Sequence, residues 1–427
     1  MNQALFDYIA ASPTAFHAVS HTGALLEKAG YLPLSESDDW ALAPGQGYYV
    51  TRNLSSLIAF RVPEDGFTGF MMAAAHGDSP AFKIKENAAL SDPHYVRLST
   101  EKYGGMLCAS WMDRPLSIAG RVLLRTESGV ASRLVDLREI TVLIPNVAIH
   151  MNRNANDGMS YNPAVDMLPL YGLSGAESLR SRIADKLGVS EDEILTTDLF
   201  VYNPAPGVQW NELISAPRLD DLQCAFGALQ GFLQAKNGKA CPVYCLFDNE
   251  EVGSQTKQGA ASTFLRDVLC RISHALGQTD TDLRRKLSAS FLVSCDNAHG
   301  VHPNHPEHQD KNHAVYPGAG IVIKYNANQR YTSDAVSAAL FQLVCDRADV
   351  PYQRYANRAD MPGGSTLGNI ANTQVSLNTV DIGLAQFAMH SAYETAGAAD
   401  TTYLVRALTA FYEASITTAA DGVYTLE

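Results

Sequence analysis

The sequence predicts an α/β protein, a sheet covered by helices, with a second and β-rich segment inserted into it. Three observations predict this. Apolar runs of strand length alternate with longer stretches of helical period. Several of the strand-like runs end on a histidine or a carboxylate, where open α/β sheets form their binding crevice. From about residue 90 to 202 the alternation gives way to hairpin signals and irregular loops such as NRNANDGMSYNP.

Taken in order, MNQALFDYIAASPTAFHAV lacks a basic start and carries Asp7 in its apolar run. It reads as a helix and not as a signal peptide. Residues 56–62 and 69–75 read as strands. RVLLRTESGVASRLVDLR reads as two strands around Glu127-Ser128-Gly129. Residues 222–235 read as a helix that stops near Gly238. Strands at 242–247, 291–294 and 320–324 follow, interleaved with helices at 263–276 and in SDAVSAALFQLVCDRA. An amphipathic helix at 402–416 closes the series. The expected division is a discontinuous catalytic domain, residues 1–90 and 203–427, holding an inserted domain, residues 91–202.

The totals exclude several classes. At 427 residues the chain is long enough for a large core and more than one domain. Hydrophobic residues at 46% and charged residues at 18% suit a soluble globular protein. No apolar run approaches the roughly 20 residues that span a bilayer. A net charge of −13 argues against a nucleic-acid surface and against docking on anionic lipid. The seven cysteines are odd in number, irregularly spaced and without a CxxC, which points to reduced thiols and a cytoplasmic protein.

The chemistry concentrates at strand ends. CLFDNEEVGSQ ends an apolar run on Asp248, Asn249, Glu250 and Glu251. Two adjacent glutamates repel, and burying them is costly unless a cation is present. FMMAAAHGDSP ends on His76, with Asp78 two residues on. SFLVSCDNAHG ends on Asp296. SAPRLDDLQ offers Asp220 and Asp221 before a helix, and DIGLAQFAMHSAYE offers His390. Each has an ordinary reading: a satisfied histidine, an N-cap, a core residue. Together they supply the imidazoles and carboxylates that zinc accepts. Five ligands exceed what one catalytic zinc takes, so two metals with a bridging carboxylate and a shared water fit better. One glutamate of the pair could then coordinate while its neighbour takes a proton from the water.

These motifs resemble those of the aspartyl aminopeptidases, within the dinuclear zinc exopeptidase superfamily. The matching stretches are AHGDSPAFKIK (75–85), SAPRLDDL (215–222), FDNEEVGS (247–254), SCDNAHGVHPN (294–304), IKYNANQRY (323–331), PGGSTLG (362–368) and AMHSAYE (388–394). They run nearly end to end and in order. The resemblance implies a zinc-exopeptidase-like mixed sheet and an inserted dimerisation domain. It also implies an enzyme that removes N-terminal Asp or Glu from peptides with a free amino terminus through a zinc-activated water. Two zincs per subunit are implied: His76, Asp220 and Asp296 hold one, with Asp220 bridging, and Glu251 and His390 complete the other. Glu250 is then the general base and Asp78 orients His76. The family commonly has Asn after the bridging Asp, where this chain has Asp221. The resemblance further implies a homo-oligomer, a dodecamer built from dimers, in which His150 reaches an active site either as a transition-state contact or as an alternative ligand.

For an acidic side chain, the candidate cation is Lys324, at the end of GIVIK, with Arg330 as the alternative. Gly363 and Gly364 join them as candidate substrate-binding residues. The tract HGVHPNHPEHQDKNH reads as an active-site loop with exposed histidines beyond it, in preference to a separate metal site. Two rival functions stand beside the favoured one: another zinc amidohydrolase, such as a deacylase or carboxypeptidase, and a catalytically silent assembly protein.

Overall fold

Alternation along Phe70–His76 sets the centre of the molecule. Met71, Ala73 and Ala75 belong to one apolar core, and Phe70, Met72 and Ala74 to another. A strand buried on both faces belongs in the parallel interior of a sheet that helices cover. The structure, a computed structural model describing residues 1–427, has it there. Cys241–Phe247 and Phe291–Cys295 run parallel to Phe70–His76 on either side, and Asn378–Phe387 runs parallel to Phe291–Cys295. His76 stands opposite Phe247, and Cys295 opposite Ile382, so the carboxyl ends of these strands meet on one edge.

Antiparallel neighbours make the sheet mixed. Ser56–Arg61 flanks Cys241–Phe247, and Ile321–Tyr325 flanks Asn378–Phe387. Thirteen strands join in this sheet. Helices Leu219–Gln234, Ala335–Arg347 and Asp400–Glu413 supply one core, whereas Phe264–Ala275 supplies the other.

A second sheet of six antiparallel strands has its own apolar cluster, including Phe82, Trp111, Ile118, Val122 and Val201. Its strands lie between Ala81 and Tyr202. The hairpin expected around Glu127-Ser128-Gly129 is Ser117–Arg125 paired with Val130–Asp136. The first strand, Ala81–Ser91, follows directly on His76-Gly77-Asp78, so the expected boundary at residue 90 falls inside it. The single N-terminal helix is two, Asn2–Ala10 and Ala15–Lys28. Pro13 explains the break, since it donates no hydrogen bond and turns the residue before it away from helical angles.

Candidate metal centre

The aligned strand ends and two loops converge on one cluster. His76 closes the strand Phe70–His76 and is buried. Its Nδ1 lies 3.0 Å from the Asp78 carbonyl oxygen, which accepts only, so Nδ1 carries the proton. In the neutral ring the other nitrogen, Nε2, then offers a lone pair, and it faces Asp220 Oδ1 at 3.4 Å. The second oxygen of Asp220 faces His390 Nε2 at 3.4 Å, and His390 Nε2 lies 3.3 Å from Glu251 Oε2. Asp220 thus stands between two imidazoles.

Asp220 and Asp221 precede the regular part of Leu219–Gln234 with non-helical angles, and neither caps it. Their order comes from elsewhere. The Asp221 carboxylate accepts the His76 backbone N–H at 3.1 Å and is fully buried, so it does not face water at the helix start. Asp296 follows Phe291–Cys295 and is buried. His76, Asp220, Asp221 and Asp296 bring ligand atoms within 4.8 Å of one another, as do Asp220, Glu251 and His390. These two groups share Asp220, and His76, Glu250 and Glu251 form a third that overlaps both.

Asp78 and Glu394 hold this cluster from behind. The Asp78 carboxylate accepts the backbone N–H groups of Glu250 and Glu251 at 3.2 Å each and the Tyr103 hydroxyl at 2.7 Å. That fixes the short turn Glu250–Val252 against His76. Glu394 is buried, and its carboxylate accepts the backbone N–H of Asp220 at 3.0 Å and of His390 at 2.8 Å. His390 itself adopts φ 67, a region few non-glycine residues adopt without outside support.

The electrostatics describe a cation's place. Burial and the Asp220 charge push Glu251 well above the usual carboxylate range, and burial raises Asp221 likewise. Burial pushes Glu250 up to about 8, with His76 opposing and Asp296 adding to the rise. Asp220 Oδ1, Asp221 Oδ1 and Glu251 Oε1 are buried without a hydrogen-bond donor. Buried charge is stable when it is paired or binds a metal, and imidazole with carboxylate is a zinc donor set. The residues present therefore fit the metal.

Beside the cluster is a cavity of about 120 Å³, whose lining includes His76, Asp220, Glu250 and Asp296 together with Lys324, Tyr331, Tyr355, Gly364 and Thr366. Lys324 is buried and donates to the Asn297 carbonyl at 2.8 Å, with Asp296 Oδ1 at 3.9 Å. Its strand runs antiparallel to Asn378–Phe387, so Lys324 does not end a strand on the common edge as the sequence suggests. Its long side chain bridges the difference.

Three expected site residues lie outside both the cluster and the cavity wall. Arg330 is exposed, Gly363 packs where an added Cβ would meet Asn357 Oδ1 at 2.6 Å, and His150 sits on an exposed loop outside the cluster. The sequence reading missed Glu394, although an acid four residues after His390 in AMHSAYE was a usable signal. It also missed Tyr103, for which strand pattern gives none.

The comparisons with known proteins agree with this geometry. The model of a family described as "Aminopeptidase I zinc metalloprotease (M18)" matches residues 8–412. The chain is 43% identical over 425 residues to an M18 family aminopeptidase 2 of Clostridium novyi (strain NT), covering 96% of this chain and 97% of that one. Among solved structures, the cryo-EM structure of the Ape4 and Nbr1 complex matches with a TM-score of 0.92 at 34% identity, covering 96% of this chain and 85% of that one. The S. cerevisiae mApe1 dodecamer matches with a TM-score of 0.84 at 27% identity, covering 96% of each. The chain belongs to the M18 family of zinc metalloproteases and is an aminopeptidase.

Proposed function

We propose that this aminopeptidase removes N-terminal Asp or Glu from peptides at a centre of two zincs per chain. The observation that carries the acidic preference is Lys324, a buried cation on the cavity that adjoins the carboxylate–imidazole cluster. Of its three N–H donors, one serves Asn297, which leaves others for a substrate carboxylate. A protein at −13 needs such a local cation, since its overall charge repels acidic peptides.

The position of Asp220 between the two imidazoles, in two of the ligand groups, supports the count of two. His76, Asp220 and Asp296 would hold one zinc and Glu251 and His390, sharing Asp220, the other. Zinc, when bound, supplies the Lewis acid that polarises the scissile carbonyl and makes water nucleophilic at neutral pH. Glu250 lines the same cavity beside the ligand groups, placed to take the proton of the attacking water and return it to the leaving amine. Asp78 and Glu394 keep the surrounding backbone in place.

We further propose that the segment around residues 91–202 is the assembly domain of a homo-oligomer, a dodecamer built from dimers. It has a core of its own, and its loop exposes Val147, Ile149 and Met151 around His150. The 27% identical mApe1 forms a dodecamer. Seven free cysteines favour a cytoplasmic setting.

The test is Lys324→Met. Losing a buried partner for the substrate carboxylate should cost roughly 2–5 kcal/mol on an Asp-aminoacyl substrate, about 30-fold to several thousand-fold in kcat/KM. The loss on a Leu-aminoacyl substrate should be far smaller, with zinc retained. Equal loss on both substrates would make Lys324 a support for Asp296 and Asn297 only.

A further inference from the structure

The loop after Asp296 carries a second group of metal-binding side chains that the dinuclear site does not use. His305, Glu307 and His308 bring one ligand atom each within 4.8 Å of the others, all three exposed. His305 Nδ1 lies 3.1 Å from Glu307 Oε1, and His308 Nε2 lies 3.8 Å from the same carboxylate oxygen. Donors held about 2.0–2.1 Å from a tetrahedral zinc stand roughly 3.3 Å apart, and the two distances bracket that value. The His302 ring lies 5.2 Å from that of His305, and its Nδ1 accepts the Asn304 N–H, which leaves Nε2 free. The turn Pro306–His308 presents Glu307 and His308 from one short element.

We propose that His305, Glu307 and His308, with His302 beside them, form a further zinc site on the surface, separate from the buried centre. Two imidazoles and a carboxylate, with water in the remaining position, make a borderline-soft donor set that suits zinc over magnesium or calcium. The site is tied to the active-site rim from two sides. Gln309 donates to the His299 carbonyl at 3.3 Å, and His299 lines the substrate cavity. Arg358 donates to the Glu307 carbonyl while pairing with Asp360, just before the segment that brings Gly364, Ser365 and Thr366 to the cavity. Zinc here would cross-link the loop and hold its end of the rim.

The test is equilibrium dialysis of the full-length holoenzyme against micromolar zinc, comparing wild type with the His305→Ala/His308→Ala double variant. The wild type should take up roughly one more zinc per chain than the variant, with the zincs of the buried centre retained in both. Hydrogen exchange gives a second readout: amides of residues 301–313 should slow on adding zinc to the wild type and remain unchanged in the variant. Equal uptake by both proteins, or equal slowing in both, would overturn the site. Both proteins can be assayed before zinc is added, so a failure of the dinuclear reading is seen separately.

Discussion

The buried centre and the exposed histidine loop draw on the same residue types and differ in everything around them. His76, Asp220, Glu251 and His390 are held by other groups: Asp78 by way of the glutamate backbone and the His76 ring, Glu394 by way of the Asp220 and His390 backbone. Their carboxylates are out of water, and several oxygens lack a donor. His305, Glu307 and His308 stand in solvent with no such support beyond a few loop contacts. Ligand identity alone does not separate a catalytic centre from a surface site. Preorganisation and dehydration do, since outer partners fix tautomer and orientation and raise affinity.

That contrast gives an order of effects. The largest is expected at Glu250, the proposed base for the attacking water. Glu250→Gln should lower turnover by about 10²–10⁴-fold or more, read in a steady-state assay. A variant within a few-fold of wild type would remove Glu250 as the base. Next is Glu394→Gln, which leaves one of the two backbone N–H groups without its acceptor. Zinc affinity should fall roughly 10–100-fold, measured by competition with a chelator. Unchanged affinity would mean that the loops of Asp220 and His390 hold themselves.

The smallest effect is expected at Asp221, a buried carboxylate inside the centre that already serves the His76 backbone. Asn keeps an acceptor for that N–H at the same size, so Asp221→Asn should change unfolding free energy by only about 1 kcal/mol and keep its zinc. Loss of zinc on that change would count Asp221 among the ligands. Assembly offers a separate check on the second region. Light scattering should find an oligomer in solution, and a fully active monomer would remove the assembly reading.

Much of the centre was legible because it sits where the local signals are strongest. His76, Glu250, Glu251 and Asp296 each follow an apolar run, and parallel pairing brings such run ends together without any knowledge of register. The supporting groups were less legible. Tyr103 reaches Asp78 from the other sheet, a contact between residues 25 apart whose geometry no periodicity encodes. The sequence puts Lys324 at a strand end beside the other ligand-bearing ends, and the antiparallel pairing that overturns this is not legible, since an apolar run of five residues carries no sign of parallel or antiparallel pairing. The N-terminal break carries a signal in Pro13, which the helical apolar spacing on both sides of it masks.

The central claim is that two adjacent glutamates divide the labour, Glu251 holding metal and Glu250 moving the proton. Elemental analysis of purified Glu250→Gln and Glu251→Gln, dialysed side by side, tests it most directly. The account predicts that Glu250→Gln keeps the zinc content of wild type while inactive, and that Glu251→Gln loses zinc. Loss of zinc from Glu250→Gln with full zinc in Glu251→Gln would contradict it and exchange the two roles.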